Sequence, residues 1–161
     1  MVSFLGFIIV FTFEPVPRNL FYLKEHLRLN RVNNVTIIEA AVSDKNGVVL
    51  FDEGPGSSMG HLSSNGKLPV RTVVLDDLIA NKEIPSPDYI KIDIEGAEFS
   101  ALSGAKSTLM ELHPIIFLAT HGGAVHQKCC YLLQSIGYHL QPIDGIDLEQ
   151  SSEILATYNA G

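Results

Sequence analysis

Apolar residues come along this chain in short runs and in helical stripes, and the two kinds alternate. The first thirteen residues are almost wholly apolar (MVSFLGFIIVFTF) and stop at Glu14-Pro15. A membrane-crossing helix needs about 20 such residues, and the run has neither the basic start nor the small-residue cleavage site of a signal peptide. Rich in Phe, Ile and Val, it is predicted as a buried strand rather than a targeting segment. Leu20, Leu23 and Leu27, with Lys24, Glu25 and Arg28 between them, form one helical face, ended by Asn30 and Asn33-Asn34. Residues 35–38 are a β-rich run, and Asp44-Lys45-Asn46-Gly47 reads as a hairpin turn into a strand over 48–51. Residues 54–66, rich in Gly, Ser and Asn, read as a loop. A strand over 69–75 leads into a short helix with Asp76 or Asp77 near its N-cap. Ile90, Ile92 and Ile94 alternate with Lys91 and Asp93, a strand whose end carries acids. Ala97, Ala101, Ala105 and Leu109 mark one helix with a narrow small-residue face, closed by His113-Pro114. An apolar strand over 115–119 and an amphipathic helix over 125–136 follow, with Gly137 at the helix C′ position.

Strands alternating with helices, several of them continuously apolar, predict an α/β fold: one domain with a mainly parallel sheet and helices on both faces. In such sheets ligands gather at the carboxyl ends of the strands. Composition narrows the field. Hydrophobic residues make up 46% of 161 residues, which excludes disorder, and 11 basic against 18 acidic side chains give a net charge of -7. That balance argues against a nucleic-acid or anionic-membrane binder. Cys129 and Cys130 are adjacent and cannot staple distant parts of a secreted scaffold, so a reducing, cytoplasmic setting is expected.

Polar residues at strand ends are the candidates for chemistry. Glu14 follows an apolar strand, where a carboxylate can accept two hydrogen bonds from ribose hydroxyls or serve as a helix-start acid. Asp44 can meet an adenine amino group or shape its turn. In Lys91-Ile92-Asp93-Ile94-Glu95-Gly96-Ala97-Glu98 three carboxylates crowd a strand exit, and Gly96 permits a sharp turn. Crowded like charges raise a pKa or demand a cationic partner, which points to a ligand-facing role for Asp93. The alternative has Lys91 neutralising one acid while the helix dipole satisfies Glu95 and Glu98. His121, between a strand and Gly122-Gly123, is placed as a base or as a structural histidine. The other histidines lack metal-ligand spacing, so no metal site is expected. Residues 54–60 match no phosphate-loop spacing; they suggest a loop over the site, with Ser57 and Ser58 facing substrate.

Taken in order, Phe13-Glu14-Pro15, Ala40-Ala41-Val42-Ser43-Asp44, the run from Val73 through Leu78, and the run from Lys91 through Glu98 resemble the FkbM-type S-adenosylmethionine-dependent methyltransferases. The resemblance implies a Rossmann-like methyltransferase fold and methylation of a hydroxyl on a sugar or natural product, with a small-molecule or carbohydrate acceptor. It implies that Glu14 holds the ribose, that Ala41, Val42 and Asp44 surround the adenine, and that Asp93, Glu95 and Gly96 lie at the methionine end and the substrate side. His121 or Asp93 is then the base. Two departures stand out. Ala119 occupies a place where the family often has a glutamate. The family also begins with a strand, a glycine-rich turn and a helix ahead of the Glu14 strand, where this sequence has only residues 1–10. The chain therefore reads as an N-terminally truncated member, with weak cofactor binding and with sheet edges open to self-association. Competing readings are a non-catalytic remnant of the fold, a metal-dependent hydrolase using Asp93, Glu95 and His121, and a nicotinamide-dependent oxidoreductase.

Overall fold

The computed structural model describes residues 8–52, 61–62, 66–145 and 147–158. It opens with a β-α-β unit: β1 (Val10–Phe13), α1 (Pro17–Leu29) and β2 (Val35–Ile38). The two strands are parallel and in register from Val10↔Val35 to Phe13↔Ile38. Pro17 sits in the first turn of α1, where its missing N–H costs nothing. Leu20 is the buried residue of the expected apolar face, and Leu23 and Leu27 are half-buried beside it. The strand predicted over the first thirteen residues is present as β1, and residues 1–7 lie outside the described residues.

A second layer follows, made of β3 (Ala41–Val42), β4 (Gly47–Asp52), β5 (His61–Leu62) and β6 (Leu68–Val73) in the order β3-β6-β4-β5. Here β3 runs parallel to β6, while β4 is antiparallel to β5 and β6. Next come α2 (Leu75–Ala80), β7 (Tyr89–Ile92), α3 (Glu98–Ser103), α4 (Lys106–Leu112), β8 (Ile115–Ala119), α5 (Gly123–Ser135), β9 (Tyr138–Pro142) and β10 (Glu153–Tyr158). The third sheet has the order β7-β8-β10-β9, with β7 and β8 parallel and β10 antiparallel to both its neighbours.

The α/β class holds, and the detail is more mixed than a mainly parallel sheet. Parallel pairing joins β1 to β2, β3 to β6 and β7 to β8, and the remaining pairs are antiparallel. The antiparallel part of the third sheet arises because β10 returns between β8 and β9. Among the described residues, one edge of β1 and one edge of β7 have no strand partner. All three sheets nevertheless share one apolar core. Ala40, Val73, Ile92, Leu102, Leu109, Ile116, Leu118, Leu133 and Ile154 are buried in it, and Phe11, Phe13 and Ile38 pack against it.

The single helix expected through residues 97–109 is two helices, with Gly104 at the break. A Cβ on Gly104 would stand 2.1 Å from the carbonyl oxygen of Ser43, so only glycine lets the two backbones approach this closely. The Gly104 carbonyl then accepts the Asp76 N–H at 3.0 Å instead of continuing a helical ladder. The Asp76 carboxylate restarts the chain as α4 by accepting from Ser107 N–H, Thr108 N–H and Thr108 Oγ1 at 2.8, 2.8 and 2.7 Å. The start of α2 is served by Asn46, whose Oδ1 accepts the Val74 N–H at 2.9 Å. No helix among the described residues is long and apolar enough to cross a membrane.

Candidate active site

The acids and the histidine singled out in the sequence meet at the carboxyl ends of β7 and β8, which are parallel neighbours paired through Ile92↔Leu118. Both strands leave the sheet through left-handed backbone. Glu95 and Gly96 have φ of 53° and 97°, and Gly122 has φ of 99°. Two successive left-handed residues reverse the chain within the span from Asp93 to Ala97. Gly122, with its own positive φ, leads the chain from His121 into α5.

There His121 Nδ1 lies 2.7 Å from Glu98 Oε1, while Nε2 lies 3.8 Å from Asp93 Oδ1 and 3.7 Å from Glu95 Oε2. Lys91 pairs with the far oxygen of Asp93, Oδ2, at 2.9 Å, so one acid of the crowded turn has the lysine partner anticipated for it. Glu98 has no exposed surface. Its Oε1 accepts the Gly96 N–H at 2.9 Å as well as facing His121, and its Oε2 has no hydrogen-bond partner among the described residues. The hydrogen bond to Glu98 holds the His121 pKa above the ordinary imidazole value; burial works against this, and the charges of Glu95, Glu98 and Asp93 add to the rise. His121 keeps about 35% of its side chain exposed, so the imidazole is partly open to solvent. Behind it the site is anchored by a buried chain of contacts, Thr120 Oγ1 to His126 Nδ1 at 3.0 Å and His126 Nε2 to Cys130 Sγ at 3.4 Å. Among the described residues, no group of three or more His, Cys, Asp or Glu side chains could hold a metal ion.

Glu14 and residues 40–44 form a second group, at the carboxyl ends of β1 and β2. The Glu14 N–H bonds to the Ile38 carbonyl at 3.2 Å, which keeps the two strand exits side by side. The Glu14 carboxylate accepts the Val16 N–H at 2.8 Å and the Asn19 side-chain amide at 3.3 Å. It therefore serves the start of α1, and each of its oxygens still has lone-pair capacity for a further donor. Ala41 and Val42 are half-buried in β3; Ser43 N–H bonds to the Val73 carbonyl at 2.9 Å, and exposed Asp44 accepts from Ser43 Oγ at 3.2 Å. Among the described residues no hydrogen bond or ion pair links this group directly to His121 and its acids. Ser57 and Ser58 lie outside the described residues.

The sequence profile of the methyltransferase FkbM domain matches residues 5–147. The chain belongs to the FkbM methyltransferase family. It is 29% identical to the hexuronic acid methyltransferase AglP of Haloferax volcanii over 71% of this chain and 48% of that protein. It is also 29% identical to the 2-O-methyltransferase NoeI of Sinorhizobium fredii, over 62% of this chain and 49% of that protein. A crystal structure of methyltransferase FkbM from Methylobacillus flagellatus KT superposes with a TM-score of 0.64 at 25% identity, covering 93% of this chain and 36% of that one. The fold is thus that of the Rossmann-like methyltransferases. The chain spans about half the length of the curated relatives it matches.

Within this FkbM domain, Asp93, Glu95, Gly96 and His121 share one site. Glu14, Ala41, Val42 and Asp44 gather at the carboxyl ends of β1 and β2. The sequence offered Glu98 as one of three crowded carboxylates, with a first-turn acid satisfied by the helix dipole as the alternative; it does stand in the first turn of α3, and the structure adds that it lies beneath His121. A signal for this was present. Glu98, Ala101, Leu102 and Ala105 are spaced as one helical face, and all four are buried, so the only charged member of an inward stripe was the residue to question.

Proposed function

We propose that this domain carries out S-adenosylmethionine-dependent methylation of a hydroxyl oxygen on a sugar or small natural product. The observation that carries the reading is His121 held at the strand exit with Nε2 open beside Asp93 and Glu95. The names of the two curated relatives, one acting on a hexuronic acid and one a 2-O-methyltransferase, support a hydroxyl-bearing sugar as acceptor.

The residues present fit the cofactor at two places. Glu14 retains acceptor capacity for ribose hydroxyls, with Ala41, Val42 and Asp44 next to it for the adenine. Asp93, Glu95 and Gly96 would lie toward the methionine end and the acceptor. When bound, the cofactor supplies an electrophilic methyl group on a positively charged sulfur. The chain's own part is alignment and proton removal, the former worth several kcal/mol when reactants are held in a near-attack geometry. In that reaction the acceptor oxygen would take the methyl group as its bond to sulfur breaks, the electron pair staying on the sulfur, and His121 Nε2 would receive the hydroxyl proton. The Oδ2 of Asp93 is already engaged by Lys91 at 2.9 Å, which leaves His121 Nε2 as the freer proton acceptor. The charges of Asp93 and Glu95 favour both the cationic cofactor and the imidazolium left after proton transfer. The buried, reduced pair Cys129 and Cys130 supports a cytoplasmic setting.

The test is an NMR titration of the chain with S-adenosylhomocysteine up to millimolar concentration, with Glu14→Ala alongside. Saturable shifts at Glu14, Ala41 to Asp44 and Asp93 are expected, weakened roughly tenfold or more by Glu14→Ala, since a hydrogen bond to a charged group contributes about 1.5–3 kcal/mol. A folded chain with no shift at those amides would overturn the reading.

A further inference from the structure

We propose that Glu98 is the positioning residue of this site: it holds the Nδ1–H of His121 and the N–H of Gly96 on one oxygen, so that Nε2 is the atom turned toward the acceptor. The inference rests on the methyltransferase reading above for its acceptor, and on geometry alone for the coupling.

The first ground is convergence. Glu98 Oε1 lies 2.7 Å from Nδ1 of His121, on the loop after β8, and 2.9 Å from the N–H of Gly96, on the turn after β7. Both segments carry left-handed residues, at Glu95 and Gly96 on one side and Gly122 on the other. A single buried atom therefore fixes the two strand exits against each other.

The second ground is that this carboxylate is costly where it sits. Glu98 has no exposed surface, and its Oε2 is unpartnered among the described residues. An unsatisfied buried acceptor costs about 1–3 kcal/mol, and more when charged. An apolar side chain of similar size, beside Ala101, Leu102 and Ala105, would serve the core better. What only the acid provides is a negative, purely accepting oxygen beneath the imidazole.

The third ground is the tautomer. An ionised carboxylate cannot donate, so the hydrogen of the neutral imidazole sits on Nδ1 and the lone pair on Nε2. Nε2 is 3.8 Å from Asp93 Oδ1 and 3.7 Å from Glu95 Oε2, too far for a hydrogen bond to either, and so stays free for an incoming hydroxyl. The charged groups facing this pair are Asp93, paired with Lys91, and Glu95 from the turn. From α5 there are the Cys129 thiol, which feels the charge of Glu98, and Lys128, whose Nζ lies 5.7 Å over the Phe99 ring of α3.

The experiment is long-range proton–nitrogen NMR of the ¹⁵N-histidine-labelled chain as wild type, Glu98→Gln and Glu98→Ala, each also titrated with S-adenosylhomocysteine. The wild type is expected to show the Nδ1–H tautomer and a His121 titration above that of an ordinary imidazole. In Glu98→Gln the amide oxygen still accepts, so the tautomer is kept while the titration midpoint falls. In Glu98→Ala the tautomer preference is lost as well. Ligand affinity at the Glu14 group is expected to change less than twofold in either variant. A folded Glu98→Gln chain whose His121 titrates as in the wild type overturns the coupling. If neither variant folds, the wild type decides, because an Nε2–H tautomer for His121 overturns it equally. Failure of the wild type to bind S-adenosylhomocysteine would strike the methyltransferase reading and leave the histidine signature to stand or fall by itself.

Discussion

Asp76 belongs to α2 by sequence, yet its carboxylate starts α4, and removing it tests how this domain is held together. Asp76→Ala deletes three accepted hydrogen bonds, from Ser107 N–H, Thr108 N–H and Thr108 Oγ1. Ser107 is exposed, so water replaces its lost partner at small cost, on the order of 0.5 kcal/mol. Thr108 is buried and keeps neither partner nor solvent. A buried donor that loses a charged acceptor costs about 1.5–3 kcal/mol, and a lost helix cap typically costs about 1 kcal/mol on its own. A total of about 3 kcal/mol follows, and at ~2–4 °C per kcal/mol for a chain of this size the melting temperature falls by about 6–12 °C. Asp76→Asn keeps a carbonyl oxygen for the two Thr108 donors but loses the charge, and is expected to lose roughly 1 kcal/mol. The control is Asp77→Ala, one position on, which removes only an exposed contact with Asn46 and should melt within about 2 °C of the wild type. The measurement is thermal unfolding followed by circular dichroism, with urea titration to confirm the free energies. An Asp76→Ala chain melting within 2 °C of the wild type would refute the claim that α4 is initiated from α2.

Two further outcomes follow from the titratable groups. Because the folded pKa of His121 is raised above the ordinary 6.5, its contribution to stability is fully present below that value and disappears as the pH rises through the folded pKa. The difference in melting temperature between wild type and His121→Gln should therefore shrink from pH 6 toward alkaline pH; a difference that grows with pH would contradict the assignment. Burial pushes the Cys129 thiol up to about 12 and raises that of Cys130 too. The native chain is expected to resist a thiol-specific disulfide reagent at pH 8 and to release both thiols only on unfolding in urea, so prompt labelling of the folded protein would count against the packing of α5.

Local pattern revealed most of the scaffold, because apolar runs and stripes report directly on burial. The strands ending at Phe13, Ile38 and Ala119 and the helices α1 and α5 stand where the pattern placed them, whereas β6 ends at Val73 and β7 at Ile92, each two residues before the expected Leu75 and Ile94. What pattern could not reveal was long-range. The N-cap residues of α1, α2, α3 and α4 are Val16, Val74, Ala97 and Ala105, none able to cap through its own side chain. The polar groups come from elsewhere: Glu14 for α1, Asn46 for α2 and Asp76 for α4. A rule that looks for a polar residue at the helix boundary assigns Asp76 to the wrong helix. The break at Gly104 was hidden for the same reason, since it is imposed by Ser43, some sixty positions away. At the site, Asp93 and His121 could each be named from a strand end, but their meeting depends on β7 and β8 being neighbours, which one-dimensional pattern does not encode. Strands β9 and β10 were not anticipated, and the tail that pairs back between β8 and β9 accounts for the antiparallel half of that sheet.

The contact between Gly104 and Ser43 has a mechanical meaning. Glu98 and Gly104 stand at opposite ends of one short helix, about 9 Å apart at 1.5 Å per residue. One end carries the carboxylate under His121, and the other is pressed against the backbone that leads into Asp44. The helix is therefore a strut between the two groups of polar residues, which share no direct bond among the described residues. A displacement of the Ser43-Asp44 segment is transmitted along it to the imidazole, because a close-packed backbone contact has no slack to absorb movement. A side chain larger than glycine at position 104 would therefore push on the backbone ahead of Asp44 and on α3 at once, whereas a change confined to the Glu98 side chain leaves that contact in place.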